Sequence, residues 1–220
     1  MKNIRLGLKI ILFSTFFILL ILINLYSFTS VDGRLLDFGS FLASAIHLTN
    51  GTNPYSSSHP YIFEVSIPVV GAGGKLPNLN PPISLYIFKP FVHLSPYQGM
   101  MIWRTLSIFA YLTAIFIWQK YNKKISILRI LWLLTLAGAW HTIELGQIYT
   151  FILVPIILTW ILSSKGQDKW AGVFLGLAIS IKPNLIVWLA LLFFDRRWKI
   201  VFSALATATI LALIPLTTLG

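Results

Sequence analysis

Apolar residues fill most of this chain in long stretches, and short basic clusters separate one stretch from the next. A helix needs about 20 apolar residues to cross roughly 30 Å of hydrocarbon. Stretches that approach this length occupy residues 6–28, 100–118, 125–140, 148–162, 171–194 and 200–219. The pattern therefore predicts an all-α polytopic membrane protein.

The fifth stretch is interrupted by Lys182-Pro183. Proline lacks a backbone donor and disfavours helix at the residue before it. A single crossing would also leave the basic cluster 196–199 outside, against the positive-inside rule. We therefore favour a hairpin, in which 171–181 enters the membrane and 185–194 returns, over one kinked span. On this interpretation the chain has seven membrane helices.

Basic residues beside the stretches predict the orientation. Lys2, Arg5 and Lys9 place the N-terminus in the cytoplasm by the positive-inside rule. The chain then divides into a first transmembrane helix, an extracytoplasmic loop and a transmembrane bundle, which form one membrane domain over residues 1–28, 29–98 and 99–220.

The extracytoplasmic loop contains two apolar segments that predict short helices. The first has helical spacing, and Gly51 and Pro54 can end it. The second follows Pro81-Pro82, which can open a helix. We expect both helices to lie in the membrane interface.

Composition and charge narrow the class of protein further. The chain is 57% hydrophobic and 10% charged, whereas soluble domains are about 45–50% apolar and about 25% charged. The formal charge of +11 would suggest nucleic acid in a soluble protein. Here the basic residues lie between apolar runs, so we expect membrane lipids and no nucleic acid as partners. The absence of cysteine excludes disulfides and thiol chemistry.

Acidic residues are few enough to be considered one by one. Asp168 and Asp195 fall in cytoplasmic basic clusters, whereas the other four fall on the predicted outer side. Asp37 heads the first interfacial helix, where a carboxylate either caps the helix or acts as a general base toward an acceptor hydroxyl. Asp32 is a nearby competitor for the second role, and the sequence leaves that choice open.

Other polar residues on the outer side are candidates for binding. Lys182 interrupts an apolar run, so it either faces a cavity, where it could hold a phosphate, or snorkels to the interface. Asn53 and Tyr55 flank a proline turn, while Glu144 and Gln147 lie at an outer helix boundary.

Common cofactor and metal signatures are absent from the sequence. The histidines lack metal-ligand spacing, and neither a phosphate loop nor a D-x-D pair occurs. We therefore predict no metal site and no cofactor.

Several short motifs follow one another along the chain: Asp37-Phe38-x-x-Phe41-x-x-x-Ala45-x-x-x-x-x-Gly51-x-Asn53-Pro54-Tyr55, Asn80-Pro81-Pro82, Gly146-Gln147, Ala171-Gly172-x-x-x-Gly176-Leu177-Ala178 with Lys182-Pro183, and Arg196-Arg197-Trp198. In order and spacing they resemble glycosyltransferase family 87, the polyprenyl-phosphate-sugar-dependent mannosyltransferases of bacterial membranes. The resemblance implies a GT-C fold with seven membrane helices and two interfacial helices in the first outer loop.

The resemblance also implies a reaction. A hexose, with mannose the expected sugar, would pass from a polyprenyl-phosphate-linked donor to a hydroxyl on a lipid or glycan acceptor outside the cytoplasm. The catalytic acidic residue of the family falls on Asp37. Members are commonly longer, so we interpret the chain as a truncated N-terminal module.

Two other functions fit parts of the pattern. A small lipid or solute transporter, such as a flippase, would place a broken helix near the bilayer midplane, as the Lys182-Pro183 interruption suggests. A structural subunit would carry no site. The acidic, amphipathic outer loop favours the enzyme.

Overall fold

The structure is a computed structural model that describes residues 11, 13–22, 26, 36–55, 80–122 and 126–215, and these residues form helices, turns and no strands. The first predicted span is described only in part. The basic N-terminal cluster, Asp32 and the loop segment 56–79 lie outside the described residues.

The helices follow one another in chain order as α1 Phe13–Leu22, α2 Leu36–Thr49, α3 Pro82–Phe88, α4 Pro96–Tyr121, α5 Ile127–Leu134, α6 Ala137–Glu144, α7 Tyr149–Ser164, α8 Asp168–Ile181, α9 Val187–Phe194 and α10 Trp198–Leu213. Two 3₁₀ turns, Lys89–Phe91 and Pro183–Ile186, follow α3 and α8. Among the described residues, α4 is the one helix long and apolar enough to cross a membrane. The number of seven membrane helices stays a prediction.

Helices α2 and α3 are the two short helices predicted in the outer loop. Helix α2 ends at Thr49, and Gly51 follows in the left-handed conformation with φ +67°. Helix α3 begins at Pro82, whose fixed φ suits the first helical position. Their buried aromatic rings stack, with the centroids of Phe41 and Phe88 4.3 Å apart. The two helices therefore pack on each other as one unit.

This unit is held against the longer helices by a shared core. The ring centroids of Phe88 and Trp103 of α4 are 4.4 Å apart, and those of Trp103 and Phe151 of α7 are 4.5 Å apart. Helix α4 begins with a capping box, in which the side chains of Ser95 and Gln98 each accept from the other residue's backbone N–H. The aromatic core thus fixes the outer-loop helices to α4 and α7.

The prediction of one helix over 125–140 was wrong, because the structure divides this stretch into α5 and α6. The Thr135 hydroxyl donates to the carbonyl of Trp132 at 2.9 Å, and Trp140 Nε1 donates to the carbonyl of Leu134 at 2.7 Å. These side chains satisfy carbonyl groups that a continuous helix would have paired with its own backbone. The break needs neither proline nor glycine, so the apolar pattern did not reveal it.

Helices α8 and α10 touch at two glycines. A Cβ atom at Gly172 would lie 2.5 Å from the Ile200 carbonyl oxygen, and one at Gly176 would lie 2.5 Å from the Ala204 carbonyl oxygen. Small residues four positions apart allow such close backbone contact between membrane helices. Since both contacts advance in the same direction along the two helices, α8 and α10 run parallel.

Parallel packing of α8 and α10 requires the chain between them to return. It does so after Ile181, where α8 ends before the Pro183–Ile186 turn and α9. Leu189 of α9 packs in the cluster that α8 and α10 share. Arg197 Nη1 then lies 3.7 Å from Asp168 Oδ1, at the start of α8. The segment is therefore the hairpin expected from the sequence, with Lys182 at its tip.

Candidate active site

Asp37 lies in the first turn of α2, where the adjoining backbone is anchored to the turn after α6. The backbone N–H groups of Asp37 and Phe38 both donate to the Leu145 carbonyl oxygen, at 3.2 and 3.3 Å. Phe38 is fully buried beneath them. These contacts fix the start of α2 and, with it, the direction of the Asp37 carboxylate.

Two neighbouring residues of α4 donate hydrogen bonds to carbonyl groups of the turn after α6. Trp103 Nε1 donates to the Gly146 carbonyl at 2.9 Å, and Arg104 Nη2 donates to the Glu144 carbonyl at 2.7 Å. Gly146 has φ +73°, and a Cβ atom there would lie 2.5 Å from Phe38 Cβ. Only glycine fits this position without displacement.

Gln147 follows directly in this turn. Its side chain hydrogen-bonds the Asp37 carboxylate. Gln147 Oε1 is buried and has no hydrogen-bond partner among the described residues. Because an orphaned buried acceptor is costly, this oxygen is suited to receive a hydroxyl from a bound ligand.

Lys182, at the tip of the hairpin, lies near the same carboxylate. Its Nζ donates to Asn80 Oδ1 at 2.8 Å and lies 5.0 Å from the centroid of the Tyr149 ring. The partly buried ammonium interacts electrostatically with Asp37. The lysine thus faces polar and aromatic partners, as expected for a cation within an apolar run.

Asn53 and Tyr55 are connected through Asn80 to the cluster that Asp37, Gln147 and Lys182 form. Asn53 Oδ1 accepts the backbone N–H of Tyr55 at 2.9 Å, in the turn that follows α2. The Tyr55 hydroxyl donates to the Asn80 carbonyl at 2.9 Å. Partial burial raises the pKa of Tyr55 to about 12, so its hydroxyl stays protonated and able to donate. The Tyr55 hydroxyl therefore holds Asn80, and Asn53 stabilises the turn that carries Tyr55.

The Glu144 side chain points to a different neighbour. Its Oε2 lies 3.6 Å from His141 Nδ1, and both side chains are at least half exposed. Glu144 contributes to the cluster through its backbone carbonyl instead. The His141 ring is close enough to Asp37 to lower the pKa of its carboxyl group.

Burial raises the pKa of Asp37 above its ordinary value of 3.8, and the Gln147 hydrogen bond and the charges of Lys182 and His141 oppose that rise. A carboxylate with a raised pKa is a stronger base than an exposed one. Within the described residues, no three histidine, aspartate or glutamate side chains are grouped to hold a metal ion. The cluster offers one base, one cation and neutral hydrogen-bonding groups.

Arg104, Trp103 and Tyr149 complete the cluster and were not singled out from the sequence, whereas Asn80 was noted there only as part of the Asn80-Pro81-Pro82 motif. Arg104 carried a usable signal, because an arginine in an apolar run marks a buried contact by the same argument as Lys182. The role of Trp103 had no such signal, since buried tryptophan is common in any core.

The apolar helical fold is typical of a membrane-associated protein, and a carboxylate near an ammonium group is an arrangement that group-transfer enzymes use. The chain belongs to glycosyltransferase family 87, whose family model matches residues 78–220. Its members are typically associated with membranes and act on a sugar donor and an acceptor. The match includes Asn80, Gln147 and Lys182, and α2 with Asp37 precedes it. No curated protein and no solved structure matches the chain.

Proposed function

We propose that this glycosyltransferase moves a hexose, mannose by its resemblance, from a polyprenyl-phosphate donor to a hydroxyl acceptor on the extracytoplasmic side. The observation that carries the proposal is that the Lys182 ammonium, which Asn80 holds at 2.8 Å, lies near enough to the partly buried Asp37 carboxylate to lower its pKa. A base and a phosphate-binding cation are the two groups that such a transfer needs.

The bonds and protons of this transfer balance with a single base. The acceptor oxygen attacks the anomeric carbon of the sugar, and the bond from that carbon to the phosphate oxygen breaks. Asp37 takes the proton of the acceptor hydroxyl, and polyprenyl phosphate leaves as an anion. Because phosphate is a good leaving group, no general acid is required.

The neighbouring residues have assignable parts in this reaction. Lys182 would stabilise the negative charge that grows on the leaving phosphate. Gln147 orients the Asp37 carboxylate and presents Oε1 to a substrate hydroxyl. Asn80 holds Lys182 in place by its 2.8 Å hydrogen bond, and the Tyr55 hydroxyl holds Asn80.

Sugar transfer from synthetic polyprenyl-phosphate-mannose to a panel of lipid acceptors tests the proposal. We expect Asp37→Asn to lower kcat by about 10²–10⁴-fold, which is the rate factor that a general base typically contributes. Asp195→Asn is the matched control, because Asp195 is exposed and pairs with Arg197 at 3.3 Å. Equal activity in the parent and Asp37→Asn would exclude Asp37 as the base.

A transporter remains the second candidate because α8 is broken at Lys182. Broken helices with a charged residue often form substrate sites in transporters. Movement of a fluorescent polyprenyl phosphate between the leaflets of proteoliposomes, without transfer of sugar, would support this alternative. Loss of sugar transfer with unchanged lipid movement in Asp37→Asn would support the enzyme.

A further inference from the structure

A groove opens between α8 and α10 at the end of the hairpin opposite Lys182. Its cavity volume is about 650 Å³, and its lining residues are Lys169, Trp170, Val173, Lys199, Phe202 and Ser203. Lys169 lies 13 residues before Lys182, which corresponds to about 20 Å along a helix. The groove is therefore separate from the candidate active site.

The walls of the groove are fixed by contacts between its two helices. The Ser203 hydroxyl donates to the Lys169 carbonyl at 2.8 Å. Close backbone contact at Gly172 holds α8 and α10 together just beyond this bond. The groove thus has a rigid floor, while Trp170 and Phe202, exposed by 62% and 65%, form its apolar sides.

The charge at the mouth of the groove is positive. Neither Lys169 nor Lys199 forms an ion pair with another described residue. The two carboxylates close to the mouth are engaged, since Asp168 and Asp195 both pair with Arg197, at 3.7 and 3.3 Å. Two lysine ammonium groups therefore remain to meet an anion.

We propose that this groove binds an anionic phospholipid, with the headgroup phosphate between Lys169 and Lys199 and one acyl chain along Trp170, Val173 and Phe202. The apolar sides match an acyl chain, which a free phosphate ion lacks. The two lysines favour a net negative headgroup over a zwitterionic one. Basic pockets between membrane helices on the positive side of a protein recognise anionic headgroups in this way.

The proposal is independent of the transfer reaction and of Asp37. It rests on the groove, its two lysines and the membrane association typical of the family. The predicted orientation places the groove on the cytoplasmic side, opposite the candidate active site.

Native mass spectrometry of the full chain in detergent tests the proposal. The titrating lipids are phosphatidylglycerol and phosphatidylcholine with the same acyl chains. We expect the parent to bind phosphatidylglycerol more tightly than phosphatidylcholine. The double variant Lys169→Gln/Lys199→Gln should bind phosphatidylglycerol about tenfold more weakly than the parent, because each lysine adds to the binding free energy for an anionic lipid.

The matched control is Lys120→Gln/Lys165→Gln, which removes the same charge away from the groove. Lys165 lies 5.7 Å from the centroid of the Tyr121 ring, and neither control lysine lines the groove. We expect this double variant to bind phosphatidylglycerol like the parent. Equal weakening in both double variants would mean that overall charge alone attracts the lipid, which would overturn the proposal.

Two further arms separate the lipid from a simple anion. Val173→Trp fills the apolar part of the groove and keeps both lysines, so we expect weaker lipid binding. Excess inorganic phosphate should fail to displace the lipid from the parent. Displacement by phosphate, or unchanged binding by Val173→Trp, would show that the acyl chain is not held in the groove.

Discussion

Trp103 Nε1 donates a hydrogen bond to the Gly146 carbonyl oxygen 2.9 Å away, and this contact links the core of α4 to the turn that carries Gln147. Trp103 is almost fully buried, so its indole cannot move without disturbing the aromatic core. The position of the Asp37 carboxylate therefore depends on the packing of α4, some 66 residues later in the chain.

The turn at Gly146 gives a stability prediction. In Gly146→Ala the new Cβ would meet Phe38 Cβ at 2.5 Å, and the backbone at φ +73° is unfavourable for alanine. We expect a loss of about 2–4 kcal/mol in the free energy of unfolding, from strain and overpacking together. Thermal unfolding in detergent measures the loss.

Gly138→Ala is the control for this change. Nothing lies within 4 Å of the Cβ that it would add, and Gly138 is part of α6. We expect this variant to gain up to about 1 kcal/mol, because alanine favours the helix. Similar destabilisation by both substitutions would contradict a special role for the turn.

The stability of the Asp37→Asn variant distinguishes a helix-capping role of Asp37 from a catalytic one. Folding raises the pKa of Asp37 above 3.8, so the folded state binds this proton more tightly than the unfolded state. The free energy of unfolding therefore falls as pH rises from about 3.8 through the folded-state pKa, and it stays lower at neutral pH. Asparagine carries no charge, so at pH 7 we expect the variant to be as stable as the parent, or more stable by about 1 kcal/mol or less.

Melting temperatures of the parent and Asp37→Asn at pH 7 and in mild acid check this prediction. The difference should shrink toward low pH, where the parent carboxyl is also neutral. A clear fall in the melting temperature of the variant at pH 7 would instead favour the helix-capping role.

The acid side of the pH–rate profile tests which groups act on Asp37. As a base it must be ionised, so kcat/KM should fall as pH drops through its raised pKa. Lys182 and Gln147 each lower that pKa. In Lys182→Gln and in Gln147→Leu we therefore expect the acid limb to move to higher pH, whatever happens to the maximal rate.

Asp195→Asn should leave the acid limb where the parent has it, because Asp195 lies with Arg197 at the other end of the hairpin. If the acid limb of the profile has the parent's position in both Lys182→Gln and Gln147→Leu, a group other than Asp37 controls it.

The contact between α8 and α10 predicts a further effect on stability. In Gly176→Val the added Cβ would meet the Ala204 carbonyl oxygen at 2.5 Å and Thr207 Cβ at 2.7 Å. Overpacking of this kind costs about 1–3 kcal/mol, which unfolding in mixed micelles would detect. Leu177→Val introduces the same branched residue at the exposed neighbouring position, and it should cost less than about 1 kcal/mol.

The sequence predicted those helix limits that depend on local chemistry. Gly51 ends α2, Pro82 opens α3 and Lys182-Pro183 interrupts the fifth apolar stretch, because these residues restrict their own backbone. The break between α5 and α6 escaped prediction because it depends on side-chain hydrogen bonds by Thr135 and Trp140. An apolar pattern does not encode such bonds.

The candidate site was predictable only in part for the same reason. Asp37 and Lys182 stood out because charges are rare in this chain, and the structure brings them together. Glu144 stood out equally, yet its carboxylate turns toward His141. Asn80 connects Tyr55 to Lys182 over long sequence distances, and only the packed fold places those three residues side by side.

The hairpin at Lys182 bears on how the protein is assembled. Asp168 and Arg197 are held 3.7 Å apart at its open end, so both arms start from the same end of the fold. In the predicted topology the lysine at the tip is carried into the hydrocarbon during biogenesis, and a charge at the membrane centre costs about 2.5–3.5 kcal/mol. Two apolar arms entering together can offset that cost, whereas α8 alone would bear all of it. The arms of the hairpin are thus expected to leave the translocation machinery as a pair.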